Sequence, residues 1–257
     1  AATPSGSAAE MRTGMGALPG SKTWQQYKYG FGPYLDGIFS QSNFGVVTKM
    51  GIWLMPEPEC YIDGHVNVFG HDDIIPLVDH MSYLMNTGLQ NAGTNLQSPL
   101  RFALAQDAEM RSLLTREDAE AIAQLNAYAV AKRVPFWSNT FKFYGPEEVV
   151  RAQWAYTKKR LSAIAGAEFQ EGAFYRFPIS DAEKAAARDE QDLGYPALAT
   201  FSIGARSPFS PPTWGHISFS PVIPMTGEAV IESQRVLSRV LQEFGRDVAV
   251  NVFPQSY

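Results

Sequence analysis

A chain of 257 residues with 45% apolar and 18% charged side chains can bury one large core, or a domain plus part of another. Its net charge of −5 argues against non-specific binding to nucleic acid or an anionic membrane, both of which want clustered basic residues. No apolar run approaches the roughly 20 residues of a membrane-crossing helix. The single cysteine, Cys60, rules out an internal disulfide framework and fits a reducing compartment.

Residues 1–28 are rich in small residues and turn formers, and AATPSGSAAEMRTGMG has neither the basic start nor the apolar core of a signal peptide. Gly14, Gly16 and Gly20 imitate a phosphate loop, but no apolar strand precedes Gly14 and Pro19 breaks the spacing, so this stretch reads as a turn. Tyr29–Pro56, YGFGPYLDGIFSQSNFGVVTKMGIWLMP, is dense in aromatics and glycine and almost uncharged. Glycine lets another group approach the backbone closely. The stretch is therefore either a turn-rich segment folded onto a core or backbone wrapped around a large ligand. Its second half, Phe44–Leu54, carries Val46, Val47, Thr48 and Ile52 and reads as a strand.

After Pro56 the texture changes, and a second region begins. His65–Phe69 reads as a strand, and Asp72 or Asp73 caps a helix running toward Leu89 with Gly88 near its end. A further helix starts at Thr115 as cap, with Asp118 at its third position and Ala119, Ile122, Leu125 and Tyr128 at near-helical spacing. Phe141–Tyr144 is another strand, and Gly145-Pro146-Glu147-Glu148 opens a helix to about Ala165, with acids at its positive end. Asp181–Gly194 is polar, helical in propensity and expected on the surface. Ser207–Pro212 is a proline-rich loop leading directly to His216. His216–Pro221 is a third strand, Thr226 caps a helix that Gly245 ends, and Asp247–Phe253 returns as a strand. Such strand–helix–strand units indicate an α+β layer, one sheet with helices packed on a face.

Candidate chemistry is sparse. His65 and His71 with Asp63, Asp72 and Asp73 look like metal ligands on paper, but the spacing matches no ligand motif and His71-Asp72-Asp73 falls at a helix cap, so no metal is expected. His80 has apolar helical neighbours and reads as structural. No Gly-x-Ser-x-Gly elbow occurs, and Cys60 lacks a nearby base. His216, presented after Trp214-Gly215 by the proline loop, is a core, pocket or reactive residue on these grounds alone.

Residues 11–56 carry a resemblance. MRTGMGALP, YGFGPYLDGIFSQSN and GVVTKMGIWLMP are similar to the family of vanillyl-alcohol oxidase, eugenol oxidase and the 4-cresol dehydrogenase flavoprotein. It extends more loosely through residues 57–257, where GHISFSPVIPMTGEAV resembles a cap segment of the oxidases. The resemblance implies an α+β protein made of the end of a PCMH-type FAD-binding domain (residues 1–56) and an incomplete substrate-binding cap domain (residues 57–257) with a large antiparallel sheet flanked by helices. It also implies FAD as cofactor, with Phe44, Gly45, Val46 and Val47 along it and His216 joined covalently to the flavin 8α carbon. A tyrosine makes that bond in the dehydrogenase branch, so a histidine favours the oxidase type. Val248 and Asn251 fall where the family lines its substrate pocket.

The implied reaction passes a hydride from the benzylic carbon of a para-substituted phenol (of the vanillyl alcohol, eugenol or 4-alkylphenol type) to flavin N5, forming a quinone methide, with O2 as electron acceptor. The alternatives are a hydroxylase that passes electrons to a cytochrome c subunit and a cap fragment that binds without catalysis. The catalytic acid or base falls outside this chain in the family, so none is assigned. A homo-oligomer, and a cytoplasmic or peroxisomal setting without nucleic-acid or membrane partners, complete the expectations. The ring substituents and the electron acceptor are not legible in these residues.

Overall fold

The structure, a computed structural model, describes residues 36–104, 112–116, 118–187, 191–196 and 221–243, together with Gly20, Lys22, Pro33 and Met110. The chain divides into two units, Ala1–Pro56 and Glu57–Tyr257.

In the first unit the described backbone makes a short 3-10 turn at Asp36–Phe39, a single bridge at Val46, and then irregular chain to Pro56. The strand expected over Phe44–Leu54 is therefore corrected to one bridging residue. β-Branched side chains favour a pleated surface only when neighbours are there to pack against. This run is apolar yet exposed, with Trp53 at 77% and Leu54 at 76%.

The second unit is built on an antiparallel sheet of four strands among the described residues: β1 (Cys60–Val68), β2 (Asn95–Gln97), β3 (Trp137–Gly145) and β4 (Glu168–Arg176). Their order across the sheet is β2-β3-β1-β4. Side chains alternate across a strand, and β1 and β3 use that period to divide polar from apolar. Cys60, Ile62, Val66 and Val68 face the core with Trp137, Phe141 and Phe143, while Asp63, His65, Asn67, Ser138, Thr140 and Lys142 on the other face are half-buried and Tyr61 there is buried. Fully burying each large apolar side chain contributes about 1.5–3 kcal/mol.

Helices cover that apolar face. α1 (Ile74–Asn86) buries Ile74, Leu77, Val78, Met81 and Leu84, one stripe at spacings of three and four. It starts at Asp73 as expected, but the Asp73 carboxylate makes no cap bond into the helix and instead accepts the Gly70 N–H at 2.7 Å. Gly88, with φ of 72°, turns the chain out beyond its end. α2 (Pro99–Leu104) is short and sets Leu100 and Leu104 into the core.

α3 (Ala119–Lys132) corrects the sequence reading of its start. Asp118 is the cap itself, accepting the Ala121 N–H at 3.0 Å, and Thr115 ends a separate 3-10 turn, Ser112–Thr115. The extended backbone of Asp118 aims its carboxylate at the first free N–H groups, the ordinary N-cap geometry. α4 (Glu147–Leu161) opens behind Pro146 as expected, though it stops at Leu161 rather than near Ala165. α5 (Asp181–Ala186) has a reciprocal capping box between Ser180 and Glu183. α6 (Gly227–Glu243) begins after Thr226, whose hydroxyl accepts the Ala229 N–H at 3.3 Å.

Two glycines permit close packing. A Cβ on Gly64 would overlap the Trp154 indole, and one on Gly227 would overlap the Ile75 backbone. Gly227 also donates its N–H to Asp79 Oδ1 at 3.0 Å, which ties α6 to α1. Of the remaining expected strands, residues 216–220 and 247–253 lie outside the described residues, and Pro221 is irregular.

Candidate functional site

The sequence-derived site residues separate into two groups. Phe44, Gly45, Val46 and Val47 lie together in the first unit, with Phe44, Val46 and Val47 exposed and Gly45 half-buried. His216, Val248 and Asn251 lie outside the described residues, so no geometry joins them to the first group.

The polar groups that the structure does bring together lie on the sheet face away from the helices. Register places Tyr61 opposite both Tyr144 and Tyr175, and His65 opposite both Thr140 and Gln170. The pairing of β1 with β4 is irregular between Ile62 and Gly64, where Asp63 alone faces Gly172 and Ala173. Asp63 Oδ1 fills the gap by accepting the Ala173 N–H at 2.6 Å. A Cβ on Gly172 would strike that carboxylate, so glycine suits the position.

Around this irregularity a charged cluster forms. The Tyr61 hydroxyl lies 2.9 Å from Asp63 Oδ2 and 3.3 Å from Asp192 Oδ2. Lys142 Nζ pairs with Asp192 Oδ1 at 2.5 Å, and the Tyr144 hydroxyl donates to the Asp192 carbonyl at 2.9 Å. Burial, then the neighbouring carboxylates of Asp192 and Asp63, push the Tyr61 phenol well above its ordinary range, so it stays a neutral donor. Farther along the face, His65 Nδ1 lies 3.0 Å from Thr140 Oγ1.

The other titratable groups have local explanations. Burial raises the Cys60 thiol, which argues against a reactive thiolate. Burial and then the Arg160 charge lower His80, which keeps it neutral. Lys158, then Trp154 through its indole N–H, hold the Glu171 carboxyl below its usual range by hydrogen bonding. His71 Nδ1 contacts Asp72 at 2.6 Å and its ring meets Phe136 edge-on, a packed position beside the start of α1. Among the described residues Glu59, Cys60 and Glu147 bring potential ligand atoms within 4.8 Å of one another. Glu147 is already engaged by Arg151 and Arg176, so that trio is an ion-pair cluster on its face. Among the described residues no helix is long and apolar enough to cross a membrane.

Sequence reasoning missed the Tyr61–Asp63–Lys142–Tyr144–Asp192 cluster. The alternation of polar residues at 61, 63, 65 and 67 and at 138, 140, 142 and 144 was its visible signal. The arrival of Asp192 from a distant turn left no such mark.

Comparison with known proteins decides the relationship. The chain is 27% identical over 240 residues to the 4-cresol dehydrogenase [hydroxylating] flavoprotein subunit of Pseudomonas putida, covering 92% of this chain and 44% of that protein. It superposes on the crystal structure of p-cresol methylhydroxylase with substrate bound with a TM-score of 0.63 and 25% identity, covering 94% of this chain and 45% of the other. Along more than nine-tenths of its length the chain is similar to these two proteins.

The fold also matches 4-ethylphenol oxidase from Gulosibacter chungangensis in its isoeugenol complex, with a TM-score of 0.67 and 24% identity over 95% of this chain and 46% of that one. A shorter stretch of 86 residues, 34% of the chain, is 36% identical to 1'-carboxy-chondrochloren decarboxylase of Chondromyces crocatus and covers 16% of it. The chain spans under half the length of the flavoprotein relatives it matches. No family profile matches the chain.

Proposed function

We propose that this chain is part of a flavin-dependent oxidoreductase of 4-alkylphenols, comprising the end of an FAD-binding domain (1–56) and most of a substrate-covering cap (57–257). The observation that carries the reading is similarity along nearly the whole chain to a 4-cresol dehydrogenase flavoprotein subunit, matched by a superposition over the same extent. Bound FAD supplies the two-electron acceptor for oxidation at the benzylic carbon. The residues present fit such a group: Phe44, Val46 and Val47 expose apolar side chains, and Gly45 between them adds none. These four residues hold the cofactor by backbone and apolar contact. His216, whose neutral imidazole is a competent nucleophile, would anchor it covalently. Val248 and Asn251 line the phenol pocket, where a small side chain at Val248 leaves room for a ring substituent.

Dioxygen is the acceptor in this reading, because a histidine rather than a tyrosine occupies the linking position. A cytochrome-coupled dehydrogenase is the second reading, favoured by the similarity to the 4-cresol dehydrogenase [hydroxylating] flavoprotein subunit of Pseudomonas putida. Full-length protein turned over with a 4-alkylphenol separates the two. Stoichiometric peroxide is expected, and dye reduction without peroxide transfers the assignment to the dehydrogenase. Acid precipitation of the flavin-loaded protein tests His216 separately. A yellow pellet that His216→Ala renders colourless is expected, and a colourless wild-type pellet refutes the covalent bond.

A further inference from the structure

The polar face of the sheet is closed at one end by a piece of chain that has no need to be there for the sheet to form. Among the described strands β4 lies at one edge, two strands from β3, about 10 Å away at ordinary strand spacing. By the 3-10 turn Gln191–Leu193 the chain has returned across that face, because Asp192 rests on both β3 and β1. Asp192 fastens it there through three of its own groups. Asp192 Oδ1 takes the Lys142 ammonium, Oδ2 lies within reach of the Tyr61 hydroxyl, and the carbonyl accepts the Tyr144 hydroxyl. Leu193 is buried behind it, and Gly194, with φ of 82°, lets the chain leave in a left-handed turn. Beneath lies the tyrosine row: the Tyr61 ring centroid is 5.0 Å from that of Tyr144 and 6.2 Å from that of Tyr175.

We propose that residues 191–194 are a strap over the tyrosine end of this face, with Asp192 as its clasp. Side-chain exposures of 21% for Lys142 and 20% for Asp192 put the ion pair in a partly shielded setting, where it holds better than a surface pair. Releasing the strap breaks the Asp192 contacts and exposes Leu193. Opening the sheet would break the apolar core on the other face as well. The strap therefore opens locally, ahead of global unfolding, and its opening uncovers the Tyr61 hydroxyl, whose residue is 1% exposed when the strap is closed. This conformational device stands on the geometry of the second unit alone and is independent of the flavin reading.

The test is limited chymotrypsin digestion of the full-length protein, following cleavage after Leu193, with hydrogen exchange of the β1 amides and nitration of Tyr61 by tetranitromethane measured in parallel. Asp192→Asn keeps the shape of the clasp and removes its charge. Cleavage faster by roughly tenfold is expected, as when a locally opened state governs proteolysis, with Tyr61 becoming reactive and β1 exchange unchanged. Lys142→Met, made from the sheet side, should reproduce the effect, and the double variant should be no faster than either single. Should Asp192→Asn fail to fold, Tyr144→Phe removes one bond to the same residue and is read by the same three measurements. Unchanged cleavage in the variants that fold, or acceleration matched by equal loss of β1 protection, overturns the strap.

Discussion

The two faces of one sheet divide the work of this molecule. Toward the helices, β1 and β3 present Ile62, Val66, Val68, Phe141 and Phe143 to a continuous apolar core, and little there carries chemistry. On the other face the same strands present Tyr61, Asp63, His65, Thr140, Lys142 and Tyr144, linked by hydrogen bonds to one another and to Asp192, which also pairs with Lys142. The strand period makes both possible from one stretch of sequence. The contrast teaches that the apolar core and the polar network are written on alternate residues, so a substitution one position along changes which of the two is broken.

Breaking the helix side should cost most. Phe141→Ala removes a fully buried ring from the middle of β3, and a loss of about 3–5 kcal/mol is expected in denaturant titration. A loss under about 1 kcal/mol would mean that the core is not where this division puts it. Gly64→Ala adds a single methyl group in the space of the Trp154 indole, and about 1–3 kcal/mol of destabilisation is expected from overpacking. Because Trp154→Leu vacates that space, combining the two should give less than the sum of their separate costs, measured as a double-mutant cycle. On the polar face Gln170→Ala, at an exposed position on β4, should stay within about 0.5 kcal/mol of the parent.

The smallest effect concerns pH. Glu171, held below its usual range mainly by Lys158, favours the folded state above its unfolded pKa, and that contribution disappears as pH falls through its lower folded value. Its side chain is 63% exposed, so solvent screens the pair strongly. Unfolding midpoints of Glu171→Gln and parent protein should therefore differ slightly at neutral pH and converge in acid. A difference that persists unchanged in acid would rule out ionisation as its source.

Much of the helix side was legible in the sequence. Asp73 and Gly88 mark the two ends of α1, Pro146 with Glu147 and Glu148 marks the start of α4, and Thr226 marks that of α6. The start of α3 was misplaced because Thr115 and Asp118 are both good caps, and only the extended backbone at Asp118 distinguishes them. β4, EFQEGAFYR, escaped notice because an edge strand with exposed acids lacks apolar alternation. Phe44–Leu54 erred in the other direction, since its β-branched composition suits a strand but a strand also needs a neighbour. Of the site, the family words FSQSN and WLMP pointed to a flavoprotein where residue spacing alone stopped at an α+β fold.

The function proposed for these residues is that of part of a flavoprotein that oxidises 4-alkylphenols. Anaerobic mixing of purified full-length protein with a 4-alkylphenol tests it most directly, with the visible flavin absorbance as readout. The account predicts yellow protein whose absorbance bleaches on mixing and returns when an electron acceptor is admitted. Protein that takes up no flavin, or bound flavin that stays oxidised with every 4-alkylphenol tried, would contradict it.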